Sequence, residues 1–415
     1  MPIHPLLRRS LRISAVEGVL AEVVGACATG GVLTAWSIYL GLGPVLLGLL
    51  GALPFAAQLL QLPAAMLSGR AGPRRTALAA VAVSRQTMLP LAILPFLRLS
   101  PLVKEVVLLC CAGASAILGV VANSSWTRWM AELVPRPLHG RYFARRNVLC
   151  AFSSVAGSFA AGVALDGGVN AAAAGAVLTA LALTASAAGL CTVLLLRLQH
   201  EPAPDAETAA PTLQEALSPL RTDVARRALA FEVAWGTATG LAAAFYPLHI
   251  FGELRAGFAR MAAFGSGVAA LRTFAAPIWA SLLKRAGPRR IVVACAVGLT
   301  LSPALWMFAG WGFLWMLALD AALCGVLMAG YGVMVGALPV GGRSGAPGRA
   351  YFLAGVASAG GLATGLASTC GAAIAHFLTT RAGLVVAMHL LFLLGAIGRI
   401  LAAVLGLRMV EDAAS

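Results

Sequence analysis

The chain has 415 residues, of which 60% are apolar and only 11% are charged, and its formal net charge is +15. Together with a mean hydropathy of +0.89, this composition excludes an ordinary soluble domain and predicts a protein whose outer surface faces lipid. Most of the basic residues lie in short loops and form no stripe interleaved with aromatic residues, so they indicate membrane topology and argue against nucleic-acid binding.

Apolar stretches of about 20 residues predict membrane-spanning helices. Arg8, Arg9 and Arg12 precede the first stretch, as basic residues do in a signal peptide, but that stretch is long and contains two glutamates. We therefore interpret it as an uncleaved span. The chain is expected to be an all-α integral membrane protein with twelve spans, near 14–40, 44–68, 76–97, 102–126, 143–165, 171–196, 228–251, 257–283, 291–309, 313–337, 351–377 and 383–407.

A polar segment at 198–226 separates the first six spans from the last six. Its proline and acidic residues are typical of a linker, and its end has the pattern of a short amphipathic helix near Thr212–Leu220. We predict an N-terminal six-helix bundle at 1–197, a cytoplasmic linker at 198–226 and a C-terminal six-helix bundle at 227–415.

The distribution of Lys and Arg predicts the orientation of the chain. If the N-terminus is cytoplasmic, 23 of the 30 Lys and Arg residues lie in or beside cytoplasmic segments, five lie in or beside outside loops, and Arg85 and Arg272 lie at mid-span positions. Positive charge is enriched on the cytoplasmic side of membrane proteins. Both termini and the linker are therefore predicted to be cytoplasmic.

The sequence Arg-Ala-Gly-Pro-Arg-Arg occurs at 70–75 and again, unchanged, at 285–290. At the same offset, Glu17 corresponds to Glu232, and each lies a few residues into an apolar stretch. Six predicted spans separate the two basic loops, so both are expected on the same face of the membrane. Such a repeat indicates a duplicated chain, and in a membrane protein it favours a transporter built from two parallel halves.

The basic loops resemble the loop between the second and third helices of the major facilitator superfamily, whose pattern is Gly-x-Leu-Ala-Asp-Arg-x-Gly-Arg-Arg. Here Ala65 and Ala280 replace the first glycine, and Gly69 and Lys284 replace the acidic residue. The segment at 126–147 also resembles the loop between the fourth and fifth helices of a bacterial branch of this superfamily. A weaker match to the same pattern lies at 337–352, at the equivalent place in the second half. The matching loop residues are Leu67, Arg70, Gly72, Arg74, Arg75, Leu282, Arg285, Gly287, Arg289 and Arg290.

This resemblance implies a secondary transporter in which two bundles rock about a cavity lined mainly by helices 1, 4, 7 and 10. The expected protein moves a small organic solute through a bacterial inner membrane, as a monomer coupled to protons and without a cofactor or metal. In the family, the acidic loop residue helps to latch the cytoplasmic side. We hypothesise that Arg70 and Arg285 engage Glu17 and Glu232 instead when that side closes; the alternative is a solvated glutamate in each first helical turn.

Ionisable residues inside a bilayer are costly, and they therefore mark candidate functional sites. Glu22 lies roughly 12 Å into helix 1, and we interpret it as a proton-coupling or cation-binding carboxylate; a structural hydrogen bond or ion pair is the alternative. Arg272 in helix 8 is a candidate to hold an anionic substrate group or to pair with a carboxylate such as Glu22. Arg85 in helix 3 is expected to form a structural pair within the first half, and Asp320 in helix 10 is the second candidate proton carrier.

The sequence gives less support to other functional classes. An integral membrane enzyme would need a nucleophile or metal constellation, but the sequence contains no HExxH, GxSxG or clustered His and Asp. The eight cysteines lie in apolar segments without a CxxC pair, and the absence of GxxxxGK[ST] argues against ATP-driven pumping within this chain. A non-transporting sensor or accessory protein stays open, although the buried charges of Glu22, Arg272 and Asp320 argue against it.

Overall fold

A computed structural model describes residues 5–200, 213–243, 245–252, 254–310, 314–337 and 346–411. The centre of the predicted linker (201–212), Arg343 and the side chain of Arg289 lie outside the described residues. Within the described ranges the chain is helical and forms no strand. The α-helices are α1 (Pro5–Ala28), α2 (Gly31–Leu40), α3 (Pro44–Ala57), α4 (Gln61–Ala71), α5 (Pro73–Ser84), α6 (Pro101–Leu133), α7 (His139–Asp166), α8 (Ala171–Arg197), α9 (Leu213–Leu217), α10 (Asp223–Ala243), α11 (Phe245–Gly252), α12 (Phe258–Leu299), α13 (Leu301–Phe308), α14 (Trp315–Ala337), α15 (Ala346–Ala382) and α16 (Leu384–Glu411), with short 3₁₀ helices at Gln58–Leu60, Leu89–Phe96, Arg136–Leu138 and Ser218–Arg221.

In the described part of the chain, eleven helical segments are long and apolar enough to cross a membrane. They cover every predicted span except the ninth, where a shorter apolar helix occupies Val293–Phe308. These helices form because each apolar run is long enough to cross the hydrocarbon core while satisfying its own backbone hydrogen bonds. The predicted all-α membrane architecture is confirmed. The helix predicted near Thr212–Leu220 corresponds to α9 and the following 3₁₀ turn, with Thr212 outside the described residues.

The chain divides into two compact units. Unit 1 holds the described residues within Met1–Leu42, Pro63–Pro211 and Phe258–Ala263, and unit 2 holds those within Gly43–Leu62, Thr212–Gly257 and Phe264–Ser415. Two segments thus group differently from the bundles predicted on sequence order, because α3 packs against α15 and Asp166 binds the start of α12. The predicted topological bundles at 1–197 and 227–415 stay a prediction.

In unit 1, α1 packs against α7 and α8, while α5 packs against α6. Trp129, Met130 and Leu196 are fully buried at the centre of one apolar cluster there. In unit 2, α10 packs against α15 and α16, around the buried rings of Phe231 and Phe352. In each unit the first long helix of a sequence repeat is therefore a central packing element, which brings Glu17 and Glu232 into the interior.

The two basic loops share one backbone geometry. Gly72, just before α5, has φ 88° and ψ 133°, and Gly287 has φ 76° and ψ 161° inside α12, which it divides into two helices. Glycine adopts such values readily, whereas side-chain-bearing residues are strained there. A proline follows each glycine, and a proline is well suited to the first position of a helix. The repeated sequence thus encodes the same turn twice.

Candidate functional site

Glu17 on α1 is 3% exposed and forms an ion pair with Arg146 on α7, with 3.3 Å between Oε2 and Nη2. Arg146 also donates from Nε to the carbonyl oxygen of Ser14 at 3.2 Å. Its guanidinium carbon lies 4.2 Å from the ring centroid of Trp126. A buried guanidinium needs this combination of an opposite charge and hydrogen-bond acceptors. These contacts hold Arg146 against α1.

Gly18 provides the space for this ion pair. A Cβ atom at Gly18 would lie 2.5 Å from Nη2 of Arg146 and 2.8 Å from Sγ of Cys150. Small residues let membrane helices approach closely. The side chain of Arg146 therefore fits between α1 and α7 because residue 18 has none.

Two further charged residues of unit 1 interact with this pair. Arg85, directly after α5, has Glu17 and Glu22 as electrostatic neighbours. Glu22 is half-buried and lies about 7.5 Å beyond Glu17 along the axis of α1. The structure thus brings Glu17, Glu22, Arg85 and Arg146 together, and we call these four residues the α1 cluster. Its two carboxylates and two guanidiniums have balanced formal charges, which limits the cost of burying them.

Arg85 is positioned by α8. A Cβ atom at Gly189 would lie 2.6 Å from Cβ of Arg85, so the two backbones are close at this point. The neighbouring Gln86 donates from Nε2 to the carbonyl oxygen of Ser186 at 3.1 Å and accepts a hydrogen bond from the hydroxyl of Ser186. Among the described residues, the buried Nε atom of Arg85 has no hydrogen-bond partner. The predicted structural role of Arg85 stays a prediction, and its placement leaves one donor available.

Glu232 on α10 occupies the repeat position of Glu17 but has a different partner. Its carboxylate accepts a hydrogen bond from Oη of Tyr331 on α14. The ring of Tyr331 stacks on Trp235 with 5.9 Å between centroids. A Cβ atom at Gly360 would lie 3.0 Å from Oε2 of Glu232. The backbone of α15 therefore passes close to the carboxylate at a glycine, which has no side chain that could bind it.

Asp320 on α14 is 2% exposed and lies inside unit 2. Its Oδ2 atom accepts a hydrogen bond from Nε1 of Trp306 at 2.8 Å, and its Oδ1 atom lies 3.4 Å from Sγ of Cys324. Arg399 on α16 is an electrostatic neighbour of Asp320, and it donates to the carbonyl oxygen of Leu299 at 2.9 Å. We call Asp320, Arg399, Trp306 and Cys324 the α14 cluster. It is a buried charge arrangement enclosed by side chains of unit 2.

The basic loop residues lie at the surface of their units. Arg74 donates from Nη2 to the carbonyl oxygen of Arg197 at 3.0 Å. Within the described residues, the carboxylates of Glu17 and Glu232 accept hydrogen bonds from Arg146 and Tyr331, so their pairing with Arg70 and Arg285 on cytoplasmic closure stays a prediction. Of the basic loop residues, Arg70, Arg75, Arg285 and Arg290 have exposed side chains. Arg272, which lies within α12, is also exposed.

Arg146 and Arg399 take part in these clusters, although the sequence pattern groups them with the cytoplasmic basic residues. Arg399 is only 6% exposed, and Arg146 is paired with Glu17. One signal was available in the sequence, because both arginines fall inside predicted spans, at 143–165 and 383–407. A basic residue within a predicted span is a functional candidate on the same grounds as an acidic one.

Asp166 is a further residue that the sequence pattern does not single out. It ends α7, and its two carboxylate oxygens accept hydrogen bonds from the backbone N–H groups of Phe258 at 2.7 Å and Ala259 at 2.9 Å. The carboxylate therefore caps the N-terminus of α12, where negative charge is favourable. A Cβ atom at Gly162 would lie 2.8 Å from the backbone of Ala259, so the two helix ends are in close contact. Both ends belong to unit 1.

Comparison with known proteins identifies a family. The family model of the Major Facilitator Superfamily matches residues 19–363, whereas no curated protein matches the chain. The solved structure of the nucleoside transporter NupG is similar, with 13% identity, coverage of 98% of this chain and 100% of that chain, and a TM-score of 0.71. A D-xylose-proton symporter has 15% identity, 98% and 99% coverage, and a TM-score of 0.70. An inward-facing bacterial homologue of the human lysosomal transporter Spinster has 14% identity, 99% coverage of both chains and a TM-score of 0.66. At these identities the structural likeness shows the fold.

Proposed function

The chain belongs to the Major Facilitator Superfamily, and we propose that it is a secondary active transporter that moves a small organic solute by alternating access, coupled to protons. In this proposal the protein works as a monomer in a bacterial inner membrane, with both termini and the linker in the cytoplasm. The family match and the apolar helices support transport rather than catalysis. Proteins of similar fold include a nucleoside transporter and a D-xylose-proton symporter.

The α1 cluster is the observation that supports proton coupling. Its formal charges balance when both carboxylates are ionised, so protonation of one carboxylate leaves a net positive charge in a medium of low dielectric constant. A ligand shifts a conformational equilibrium only if it interacts differently with the two states. A proton that changes the charge of a buried cluster satisfies this condition.

Within the cluster, Glu22 is the better proton carrier. Glu17 is 3% exposed and paired with Arg146, whereas Glu22 is half-buried and is therefore not enclosed by protein on all sides. Protonation of Glu22 reduces the negative charge around Arg85, whose Nε donor is unsatisfied among the described residues. Arg85 is then free to attract an anionic group of the solute or to engage Glu17, which links proton binding to solute binding. The exposed Arg272 is proposed as a second solute contact.

The proposal is tested with purified protein in proteoliposomes. Counterflow of a panel of labelled solutes that includes small organic anions as well as the neutral nucleosides and D-xylose identifies a substrate, and accumulation driven by a pH gradient then measures coupling. The Glu22→Gln variant should lose gradient-driven accumulation while it keeps solute exchange, because the amide mimics the protonated carboxyl. Glu132→Gln is the matched control, because Glu132 forms a surface ion pair with Arg128 on α6.

Proton coupling, transport and membrane orientation can each be contradicted by a different result. Accumulation by Glu22→Gln at the wild-type level would overturn the role of Glu22 in coupling. A solute that raises the melting temperature of the protein without being exchanged would overturn transport and indicate a sensor. Reporter fusions at Ser415 and within the linker test the orientation, because activity of a periplasmic reporter at either point contradicts cytoplasmic placement.

A further inference from the structure

Unit 1 contains a cavity of about 530 Å³ at the surface where α1 begins, α5 begins and α8 ends. Its polar lining includes Arg9 from α1, Arg74 from α5, and Gln199 and His200, which follow α8. The charge distribution in the sequence assigns these three segments to the cytoplasmic side of the membrane. The cavity therefore lies, on that assignment, at the level of the cytoplasmic lipid headgroups.

Gln199 indicates that the cavity can bind a polar ligand. The residue is 2% exposed, and among the described residues neither its Oε1 nor its Nε2 atom has a hydrogen-bond partner. Buried polar groups in native proteins are nearly always paired, and leaving them unpaired is costly. Since Gln199 lines the cavity, a ligand that accepts from Nε2 and donates to Oε1 would satisfy both atoms.

The charge around Gln199 selects an anion. Arg9 and Arg74 provide two guanidiniums, and guanidinium groups bind phosphate oxygens particularly well. Arg74 is held in place, because it donates to the carbonyl oxygen of Arg197 and lies 5.8 Å from the ring centroid of Trp129. The backbone N–H of His200 donates to the hydroxyl oxygen of Ser10 at 3.1 Å, which joins the start of α1 to the segment after α8.

The rim of the cavity is apolar, which favours a ligand that also has an apolar part. Leu6 and Leu198 line the same cavity and are 55% and 61% exposed. We propose that the cavity binds the headgroup of an anionic phospholipid, with the phosphate on Arg9 and Arg74 and the acyl chains along Leu6 and Leu198. Basic pockets between membrane helices are a recognised setting for anionic headgroups. The donor and acceptor of Gln199 further select a headgroup that carries both a phosphate and a hydroxyl, the chemistry of phosphatidylglycerol.

Binding of phosphatidylglycerol to the full-length protein tests this proposal independently of transport. The readouts are lipid retention in native mass spectrometry and the melting temperature in phosphatidylcholine nanodiscs with added phosphatidylglycerol. Arg9→Gln and Gln199→Leu should each weaken lipid binding about tenfold or more, because each removes a hydrogen bond to a charged or buried group. Arg12→Gln is the matched control, because Arg12 is an exposed arginine of α1 and is not among the residues that line the cavity.

A diffuse charge effect, a free-anion site and a site that does not recognise the headgroup hydroxyl would each give a different result. Equal losses in Arg12→Gln and Arg9→Gln would show a diffuse charge effect and overturn the site. Stabilisation by inorganic phosphate equal to that by phosphatidylglycerol would show a free-anion site and overturn the role of lipid. Equal binding of phosphatidic acid would overturn the role assigned to the headgroup hydroxyl. If phosphatidylglycerol binds only after Glu201, Asp205 and Glu207 are neutralised together, the native chain does not bind it and the proposal is wrong.

Discussion

Glu17 and Glu232 occupy equivalent positions in the two sequence repeats, yet the structure gives them chemically different partners. Glu17 pairs with the guanidinium of Arg146, whereas Glu232 accepts a hydrogen bond from the neutral phenol of Tyr331. At the repeat offset, Arg146 corresponds to Gly361. The duplicated carboxylate has therefore acquired a separate environment in each half, and the two halves are expected to respond differently to its loss.

The ion pair in unit 1 predicts a strong dependence of stability on both partners. Arg146→Gln should lower the free energy of unfolding by about 3–5 kcal/mol, because it removes the direct ion-pair partner of the buried carboxylate of Glu17. The double variant Glu17→Gln/Arg146→Gln should regain part of that loss. Melting temperatures in detergent measure the cycle. The exposed pair Arg128–Glu132 is the control, for which the same cycle should give less than about 1 kcal/mol.

In unit 2 we expect a smaller effect. Tyr331→Phe removes the hydrogen bond to Glu232 and should cost about 1–3 kcal/mol, the penalty for leaving a buried polar group unpaired. Glu232→Gln should cost less, since the amide oxygen can still accept from Tyr331. The same melting measurement applies, and a larger loss in Glu232→Gln than in Tyr331→Phe would contradict the predicted order.

For the α14 cluster we expect that a substitution lowers the stability of the protein without abolishing proton coupling. Asp320→Asn should lower the melting temperature, because it removes the negative charge beside the buried guanidinium of Arg399, but the variant should still accumulate solute in a pH gradient. Asp320 is 2% exposed, so it has no direct access to water for proton exchange. If Asp320→Asn abolishes gradient-driven accumulation while Glu22→Gln retains it, proton coupling moves from α1 to α14.

The cap at Asp166 predicts a local effect on backbone protection. Asp166→Ala removes the acceptor for Phe258 and Ala259, and a lost N-cap costs about 0.5–2 kcal/mol. Hydrogen exchange at these two amides should accelerate by about two- to thirtyfold. Asn170→Ala is the control, because Asn170 caps α8 through the amide of Ala173 at 2.9 Å. Acceleration at Ala173 should then occur in the control only.

The positions of the membrane helices follow from the sequence, whereas the partners of the charged residues do not. Apolar runs reveal the helices because the thickness of the bilayer fixes their length. Which side chain a buried glutamate meets depends on the rotation of each helix and on local gaps such as that at Gly18. The repeat led to a symmetrical expectation for Glu17 and Glu232, and the substitution of Gly361 for Arg146 is the sequence difference that breaks this symmetry. The sequence does not single out Arg399 as a buried charge, because basic residues near the ends of spans usually indicate membrane topology.

The glycines of the repeated basic loops are expected to be required by the backbone. Gly72→Ala and Gly287→Ala should each cost about 1–3 kcal/mol, because their φ values of 88° and 76° strain any residue with a Cβ atom. Crowding is not the cause, since no atom from outside the local backbone lies within 4 Å of a Cβ built at either position. Gly119→Ala in α6 is the matched control.

Gly119 also has open space around a built Cβ atom, but its φ is not positive. Alanine at that helical position should therefore be neutral or stabilise the protein by up to about 1 kcal/mol. Melting temperatures of the three variants in detergent give the comparison. Equal stability of all three would show that the repeated turn does not constrain its glycine. A loss in Gly72→Ala and Gly287→Ala alone would show that each half retains the glycine because the backbone of the loop requires it.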